Sequence, residues 1–265
     1  MIRFSTLYSG SSGNCSVIWD EGTVILVDMG GSCRRTITAL NALGIPASSV
    51  NAVLITHEHS DHIAGLEVFC RHYRTALYGT IETKRFMEAR GMLMPGQQFN
   101  LFRSGEELTV GDLKVVPFAT PHDSQTCHGF SFSKGMARLS VATDLGQMTE
   151  DIYRHLAGSS LVALESNYDE YDLRNGPYPA DLKARIAGPQ GHLSNMSCAR
   201  TAVDLVNDGM KTLVLMHLSE ENNTPAKAVT AILGMFENYE LAEDCCEVYA
   251  APRYEVGEVW EIPEC

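Results

Sequence analysis

The residues best suited to chemistry in this sequence occupy positions 57–62, directly after the apolar run 52–56. The segment reads His-Glu-His-Ser-Asp-His, and its candidate metal ligands are His57, His59, Asp61 and His62. Side chains two positions apart on an extended chain point to the same side, so the first two histidines can bind one ion together. The adjacent Asp61 and His62 can share an ion only if the backbone turns, and the helical pattern of residues 63–69 predicts such a turn. Imidazole and carboxylate ligands favour zinc, manganese or iron over calcium.

Three further candidate ligands follow apolar runs elsewhere in the chain. They are His122 after residues 115–120, Asp144 after residues 139–143, and His217 after residues 213–216. Residues at the carboxyl ends of separate short strands can converge on one edge of a sheet. One tetrahedral ion takes four ligands, and a catalytic ion keeps a position open, so seven candidate ligands are too many for one ion. The sequence therefore predicts two divalent ions, Zn²⁺ or Mn²⁺, that share Asp144 and a bridging water.

The pattern His-x-His-x-Asp-His after a strand resembles the signature of the metallo-β-lactamase-fold hydrolases. This resemblance implies an α/β fold (α+β in some schemes), built as a four-layer αβ/βα sandwich. It also implies the ligand sets, which are His57, His59 and His122 for one ion and Asp61, His62 and His217 for the other. Asp28, which ends the run 24–27, matches the early aspartate of this superfamily, a residue that orients ligands rather than binding the ion.

Three other segments make the resemblance more specific. They read Glu-Ser-Asn-Tyr-Asp at 165–169, Gly-His-Leu-Ser-Asn at 191–195 and His-Leu-Ser-Glu-Glu-Asn-Asn at 217–223. Together with a Gly/Ser loop at 7–14 and Asp-Met-Gly at 28–30, they resemble the YycJ/WalJ-type family of bacterial exonucleases from about residue 8 to residue 225. The resemblance implies a 5′-to-3′ DNA exonuclease in which a metal-bridging hydroxide is the nucleophile. The stretch between Asp144 and His217 leaves no room for the β-CASP insert of related RNA-processing nucleases.

His192 lies outside the seven candidate ligands, just before a predicted helix. Related phosphodiesterases use this position for a histidine that donates a proton or binds phosphate, and a leaving alkoxide needs a proton near neutral pH. We therefore expect a catalytic His192, assisted by Asp61, with a helix-capping histidine as the alternative. Glu165 is either a buried carboxylate that orients the site or a polar strand end. The expected substrate contacts are Ser11, Ser12, Asn14, Asn167, Tyr168 and Asn222. His128 competes with His122 as a ligand but begins a strand instead of ending one.

Net charge is the main objection to a DNA substrate. Lysine and arginine total 20 against 33 aspartates and glutamates, a net charge of −13, whereas DNA-binding domains are usually basic. Bound metal ions would offset part of this charge at the scissile phosphate. Basic clusters at 71–74, 84–85 and 183–185 could form a narrow track if they face the cleft. The alternatives are a phosphodiesterase for small cyclic or nucleotide phosphates, a thioester or lactone hydrolase, and a protein that keeps the metals only for folding or regulation.

The remaining features favour one domain over residues 1–265 in a cytoplasmic protein. Repeats, low-complexity tracts and long linkers are absent, and the chain begins without a signal-like segment. The eight cysteines lack Cys-x-x-Cys spacing, which favours reduced thiols. No membrane association or obligate protein partner is expected. Strands are predicted at 3–8, 15–19, 23–27, 76–78, 161–164 and 212–216, a hairpin at 130–141, and helices near 32–44, 63–73, 82–90, 181–186, 197–206 and 226–236.

Overall fold

The structure is a computed structural model, and it describes residues 1–264. Its strands are β1 Ile2–Tyr8, β2 Cys15–Trp19, β3 Val24–Val27, β4 Ala52–Leu54, β5 Ala76–Gly79, β6 Phe99–Leu101, β7 Leu108–Val110, β8 Leu113–Thr120, β9 Cys127–Lys134, β10 Ala137–Ala142, β11 Leu161–Glu165, β12 Thr212–Met216, β13 Glu247–Ala250 and β14 Trp260–Ile262. Its α-helices are α1 Cys33–Ala42, α2 Ser60–Ile63, α3 Leu66–His72, α4 Ile81–Ala89, α5 Glu150–Leu156, α6 Glu170–Asn175, α7 Ala180–Ile186, α8 Asn195–Asn207 and α9 Pro225–Asn238.

The strands form two seven-stranded mixed sheets, in the orders β14-β1-β2-β3-β4-β5-β6 and β13-β12-β11-β10-β9-β8-β7. In the first sheet β3 to β6 run parallel, and in the second β10 to β13 do. Parallel neighbours need crossover connections, and helices α1, α3, α4, α5, α8 and α9 lie in these connections. The alternation of parallel strands and helices gives an αβ/βα arrangement, which confirms the predicted fold class.

The two sheets pack face to face, with a helical layer outside each. One hydrophobic cluster joins residues of both sheets, among them Phe4 and Ile18 of the first and Phe130 and Val141 of the second. A second cluster packs the first sheet against α1 and α3, and a third packs the second sheet against α8 and α9. Burial of apolar surface on both faces of each sheet is the dominant stabilising contribution in such a layered fold.

Six strands end at one common edge of this sandwich, and the predicted site residues follow them. Asp28 comes after β3, His57 after β4, His122 after β8, Asp144 after β10, Glu165 at the end of β11 and His217 after β12. Strand β8 is antiparallel to β9, which is antiparallel to β10, so β8 and β10 share a direction. Parallel pairing therefore gathers residues from distant parts of the chain at one edge.

The structure differs from the prediction mainly in one divided helix and four additional elements. The helix expected near 63–73 is two helices, because α2 ends at Ile63 and α3 begins at Leu66. Helices α5 and α6 and strands β13 and β14 were not predicted. Strand β14 pairs antiparallel with β1, with Ile2 opposite Ile262, and so brings the end of the second half back to the first sheet. Within residues 1–264, no helix has both the length and the hydropathy needed to cross a bilayer.

Candidate metal centre

The seven predicted ligands lie together at the edge where the strands end. Ligand atoms of His57, His59 and His122 are within 4.8 Å of one another, and so are those of Asp61, His62 and His217. These are the two sets that the resemblance implies. The loop after β4 turns into helix α2 at Ser60. Because of this turn, Asp61 and His62 belong to a different ligand group from His57 and His59.

Asp144 lies between the two groups and is 1% exposed. Its Oδ1 atom is 3.5 Å from His122 Nε2, which belongs to the first group. Its Oδ2 atom is 3.2 Å from His62 Nε2 and 3.1 Å from His217 Nδ1, both in the second group. Each carboxylate oxygen therefore faces one group, which is the arrangement that a bridging ligand requires.

Unpartnered buried atoms test whether these residues fit metal ions. The Nε2 atom of His57 and the Oδ2 atom of Asp144 are buried and make no hydrogen bond. Buried polar atoms almost always have a partner, and a cation bound by several such atoms would supply one. Burial lowers the pKa of His57 well below its ordinary value, which favours the neutral imidazole that binds metals. The residues therefore fit zinc or manganese, whose preferred donors are imidazole and carboxylate.

A second set of residues fixes the orientation of the ligands. Asp28 accepts a hydrogen bond from His62 Nδ1 at 2.7 Å, which leaves Nε2 facing the site. The backbone N–H and the hydroxyl of Thr56 donate to the same carboxylate at 2.9 and 2.8 Å. His122 Nδ1 donates to the carbonyl oxygen of Gly191 at 3.0 Å. Such partners hold ligating histidines in one tautomer and one ring orientation. Sequence reasoning missed Thr56, whose only signal is its place between the strand and the first histidine.

The Gly/Ser loop between β1 and β2 supports the ligand backbones. Its Ser9 hydroxyl accepts a hydrogen bond from the N–H of His217 at 2.9 Å, and the N–H of Asn14 donates to the carbonyl of Asp61 at 2.8 Å. Gly30 of the Asp-Met-Gly segment packs on the same backbone, where an added Cβ would lie 1.5 Å from the carbonyl oxygen of Asp61. The close approach of these chains explains why a glycine occupies position 30.

His192, which is half-buried, and the buried Glu165 form a hydrogen-bonded pair beside the predicted ligands. His192 Nδ1 donates to Glu165 Oε1 at 2.8 Å, and Glu165 Oε2 accepts from the N–H groups of Leu145 and Leu193, both at 3.0 Å. Burial opposes the charge on Glu165, but the charges and side-chain hydrogen bonds of His192 and His217 lower its pKa to about 2. Burial also lowers the pKa of His192, but the Glu165 carboxylate more than offsets this and raises the pKa above its ordinary value. Contact with Glu165 therefore favours the protonated form of the His192 imidazole at the edge of the site.

A cavity of about 210 Å³ opens beside this pair. Its lining residues are Ser11, Asp123, Asn167, Tyr178, Leu182, Arg185, Ile186, Gly191, His192 and Ser219. A larger cavity of about 680 Å³, which His128 and Phe102 line, contains none of the seven predicted ligands. His128 is the second residue of β9 and stays apart from the cluster, in agreement with the preference for His122.

Two of the six expected substrate contacts, Ser11 and Asn167, line the 210 Å³ cavity. Asn14 and Asn222 are buried within their loops, where they hydrogen-bond Gly10 and Ser219. Tyr168 lines a separate cavity with residues of α6 and α7, and Ser12 is exposed. Sequence reasoning missed Asp123 and Tyr178, of which only Asp123 had a signal, its place next to His122.

The three basic clusters lie in different places. Arg71 and Arg74 precede β5, whose carboxyl end lies at the metal edge because β5 is parallel to β4, so this cluster is at the opposite edge of the sheet. Lys84, on α4, forms an ion pair with Glu88 at 3.3 Å. Only Arg185 of the third cluster lines the cavity, where its Nε donates to the Asp123 carboxylate. The three basic clusters therefore do not form the continuous basic track along the cleft that the sequence analysis considered possible.

Comparison with known proteins agrees with this geometry. Residues 8–217 match the metallo-beta-lactamase superfamily. Exodeoxyribonuclease YycJ of Bacillus anthracis is 33% identical over 89% of this chain and 89% of its own length. Exodeoxyribonuclease WalJ of Streptococcus pneumoniae is 33% identical over 83% of each chain. The crystal structure of the metallo-beta-lactamase fold protein YhfI from Bacillus subtilis superposes with a TM-score of 0.73 at 19% identity, covering 98% of this chain and all of YhfI, and shows the shared fold. The chain therefore belongs to the metallo-beta-lactamase superfamily and, within it, to the family that includes YycJ and WalJ.

Proposed function

We propose that this metal-dependent hydrolase is a dinuclear phosphodiesterase that removes nucleotides from DNA in the 5′-to-3′ direction. The observation that carries the dinuclear part is the position of Asp144, whose two oxygens face two separate groups of three ligands. Two divalent ions, when bound there, would supply a nucleophilic hydroxide and stabilise charge on the phosphate. The choice of DNA follows the relatives that are named exodeoxyribonucleases and align over most of the chain.

The residues around the ligands have separate roles in this proposal. Asp28 and Thr56 hold His62, and the Gly191 carbonyl holds His122, so that the ligand nitrogens keep one orientation. Asp61, the one carboxylate of the second group, is 24% exposed in its side chain and can accept a hydrogen bond from the attacking water. His192, oriented by Glu165, protonates the oxygen that leaves the phosphorus.

A phosphodiesterase for small nucleotides is the second candidate, and the size and charge of the cavity favour it. A volume of about 210 Å³ is below the 300–1,000 Å³ typical of sites for drug-sized ligands, and Arg185 is the only lysine or arginine among the described lining residues. A thioester hydrolase would have less use for His192, because a thiolate leaves without a proton near neutral pH.

The test compares four substrates with protein loaded with Mn²⁺ or Zn²⁺. They are single-stranded DNA labelled at its 3′ end, the same DNA labelled at its 5′ end, a chromogenic phosphodiester and a thioester. We expect mononucleotides to be released from the 5′ end, so that the 5′ label is lost at once and the 3′-labelled strand shortens in steps. Hydrolysis of the chromogenic diester without any loss of DNA length would instead establish the second candidate.

We further propose that residues 1–265 act as one cytoplasmic domain. A single hydrophobic cluster joins both sheets, so neither half buries its inner face alone. DNA as the substrate implies the cytoplasm, and the seven described cysteines form no disulfide with one another. Limited proteolysis should therefore find no cleavage between the two sheets before global unfolding.

A further inference from the structure

Among the described residues, the lining of the cavity beside His192 has an apolar wall, a tyrosine ring and one arginine. Leu182 and Ile186 lie four positions apart on α7 and so share one face of that helix. Tyr178 precedes the helix, and Arg185 lies on it. No residue of α7 is buried, so the helix exposes apolar side chains to this cavity instead of to the core. An aromatic ring with aliphatic neighbours and one arginine is suited to a nucleobase and a phosphate, which stack and ion-pair respectively.

Helix α7 is fixed to the loop that carries His192. The N–H of His192 donates to the carbonyl oxygen of Ile186 at 2.9 Å. Gly191 packs so closely on the same turn that an added Cβ would lie 2.2 Å from this oxygen. The cavity wall and the proposed proton donor therefore form one unit, and a group bound against α7 has a fixed position relative to His192.

Arg185 can bind an anion while it remains paired with Asp123. The hydrogen bond between them uses the Nε atom of Arg185. A guanidinium has five N–H donors, so both terminal nitrogens remain available for phosphate oxygens. The Arg185 side chain is 63% exposed, which leaves it accessible from the cavity. Asp123 follows the predicted ligand His122, so this ion pair connects the cation to the metal centre.

The position of His192 decides which part of the DNA enters the cavity. In 5′-to-3′ cleavage, hydroxide adds to phosphorus, the bond from phosphorus to the 3′ oxygen of the terminal nucleotide breaks, and that oxygen takes the proton from His192. The leaving group is then the 5′-terminal nucleotide, which must lie on the His192 side. The remaining strand keeps the new phosphate at its 5′ end, so each cycle restores a 5′-phosphate.

We propose that the cavity beside His192 binds the 5′-terminal nucleotide, with Tyr178 against its base and Arg185 on its 5′-phosphate. This inference rests on the proposed exonuclease function. The contact of Arg185 with the 5′-phosphate makes the enzyme selective for 5′-phosphorylated ends. The cavity accepts one unpaired nucleotide, because a volume of about 210 Å³ cannot admit a duplex.

The test uses two single-stranded oligonucleotides that differ only in a 5′-phosphate or a 5′-hydroxyl, both labelled at the 3′ end. The wild-type full chain, loaded with Mn²⁺, should remove the first nucleotide from the phosphorylated strand at least about tenfold faster, the effect of one charge-assisted hydrogen bond. The hydroxyl strand should show a lag and then normal shortening, because its first cleavage creates a 5′-phosphate. Arg185→Gln should slow only the phosphorylated strand and bring the ratio near one.

Matched variants separate the roles of the side chains. Tyr178→Ala should weaken the binding of thymidine 5′-monophosphate severalfold, measured by calorimetry, while Tyr178→Phe should not. Arg174→Gln and Tyr171→Ala, which change exposed residues of α6, should behave as wild type. The two control variants should retain hydrolysis of a chromogenic phosphodiester, and every variant should keep the wild-type metal content in elemental analysis, which shows that it is folded and metal-loaded. If Arg185→Gln does not, Arg185→Lys replaces it and should keep a reduced preference.

Four outcomes would overturn the inference. The wild type could cleave the first nucleotide from both ends at equal rates, or the phosphate preference could survive Arg185→Gln. Either result would contradict the proposed terminal-nucleotide site and leave the exonuclease proposal standing. Shortening from the 3′ end would place the terminal nucleotide on the other side of the phosphorus. A protein that hydrolyses the chromogenic diester but neither oligonucleotide would overturn the proposed function and this inference together.

Discussion

Three residues of the candidate centre have a backbone conformation that is rare outside glycine. Asp28, Asp144 and His217 have φ angles of 62°, 57° and 54°. A non-glycine residue in the left-handed region costs on the order of 1–3 kcal/mol and persists where the surrounding structure requires it. Asp28 and His217 directly follow a strand and Asp144 comes two residues after one, where the turn brings each side chain into the site. The residue types and their places after apolar runs were predictable from the sequence, but these backbone angles were not.

Asp144→Asn tests the bridging role at the level of one atom. Asparagine tolerates the left-handed conformation about as well as aspartate, so the fold should be retained. A neutral amide bridges two cations poorly, and we expect metal content to fall from about two ions per chain to one or fewer, with loss of turnover. Elemental analysis after loading with Zn²⁺ or Mn²⁺ measures this, with the exposed Asp112→Asn as control. A fully active wild type with a single ion would refute the dinuclear proposal.

His192→Ala distinguishes a proton donor from a phosphate-binding residue. Loss of a general acid typically costs about 10²–10⁴-fold when the leaving group is an alkoxide, as in DNA. A p-nitrophenyl phosphodiester should be far less affected, because p-nitrophenolate leaves without a proton. Metal content should stay at the wild-type level, and the exposed His72→Ala is the matched control. An equal loss on both substrates would indicate phosphate binding instead, and loss of an ion would show that His192 is a ligand.

At the scale of secondary structure, elements with strong local signals were predicted and elements with weak ones were not. The helix at 32–44 had two such signals, and the structure confirms both: Ser32 caps α1, and Gly44 follows it with a φ of 71°. The terminal strand β14 spans only Trp260–Ile262 and has no flanking pattern. Strand β14 forms because it can pair with β1, whose backbone groups on that side would otherwise be unpaired. The local sequence does not identify such a distant pairing partner.

Asp20 and Lys134 join the two sheets, and Asp20→Ala tests this connection. Asp20 directly follows β2 of the first sheet. It accepts hydrogen bonds at 2.8–2.9 Å from Gly22, Thr23 and Lys134, the last residue of β9 in the second sheet. Removal of a buried carboxylate with these partners should lower the free energy of unfolding by about 1–3 kcal/mol in a denaturant titration. Asp112→Ala, which removes a 76% exposed carboxylate 3.5 Å from the same lysine, should change it by about 0.5 kcal/mol or less.

The same pair predicts how stability depends on pH. Burial raises the pKa of the Asp20 carboxyl, but the hydrogen bonds from Lys134 and the turn more than offset this and lower it below its ordinary value. A depressed carboxyl pKa contributes stability that is complete above the unfolded value of about 3.9 and is lost as pH falls through the folded value. The difference between wild type and Asp20→Ala should therefore be constant above about pH 4 and shrink below it, with chelator present throughout. A difference that grows on acidification would contradict this assignment.

At the scale of the whole molecule, the distribution of charge was the feature least accessible from the sequence. The net charge of −13 and the three basic clusters could be counted, but whether those clusters meet depends on strand direction. The parallel pairing of β4 and β5 places Arg71 and Arg74 at the edge opposite the metal centre. The protein thus has an acidic body, and Arg185 is the one lysine or arginine among the described residues that line the cavity beside His192.

This charge distribution predicts a weak dependence of DNA cleavage on salt. For single strands, log affinity falls with log salt concentration with a slope of about −0.7 per phosphate contact, so an enzyme with one or two contacts should show a slope near −1. We expect this slope for kcat/KM on a 3′-labelled oligonucleotide between about 50 and 200 mM salt, the range over which proteins with many phosphate contacts lose several orders of magnitude. Arg185→Gln should flatten the slope further, whereas the double variant Arg71→Gln/Arg74→Gln, at the opposite edge, should leave it unchanged. A slope of about −4 or steeper would mean that DNA follows a basic path outside this cavity. If the double variant then lost this steep slope, the path would lie at Arg71 and Arg74.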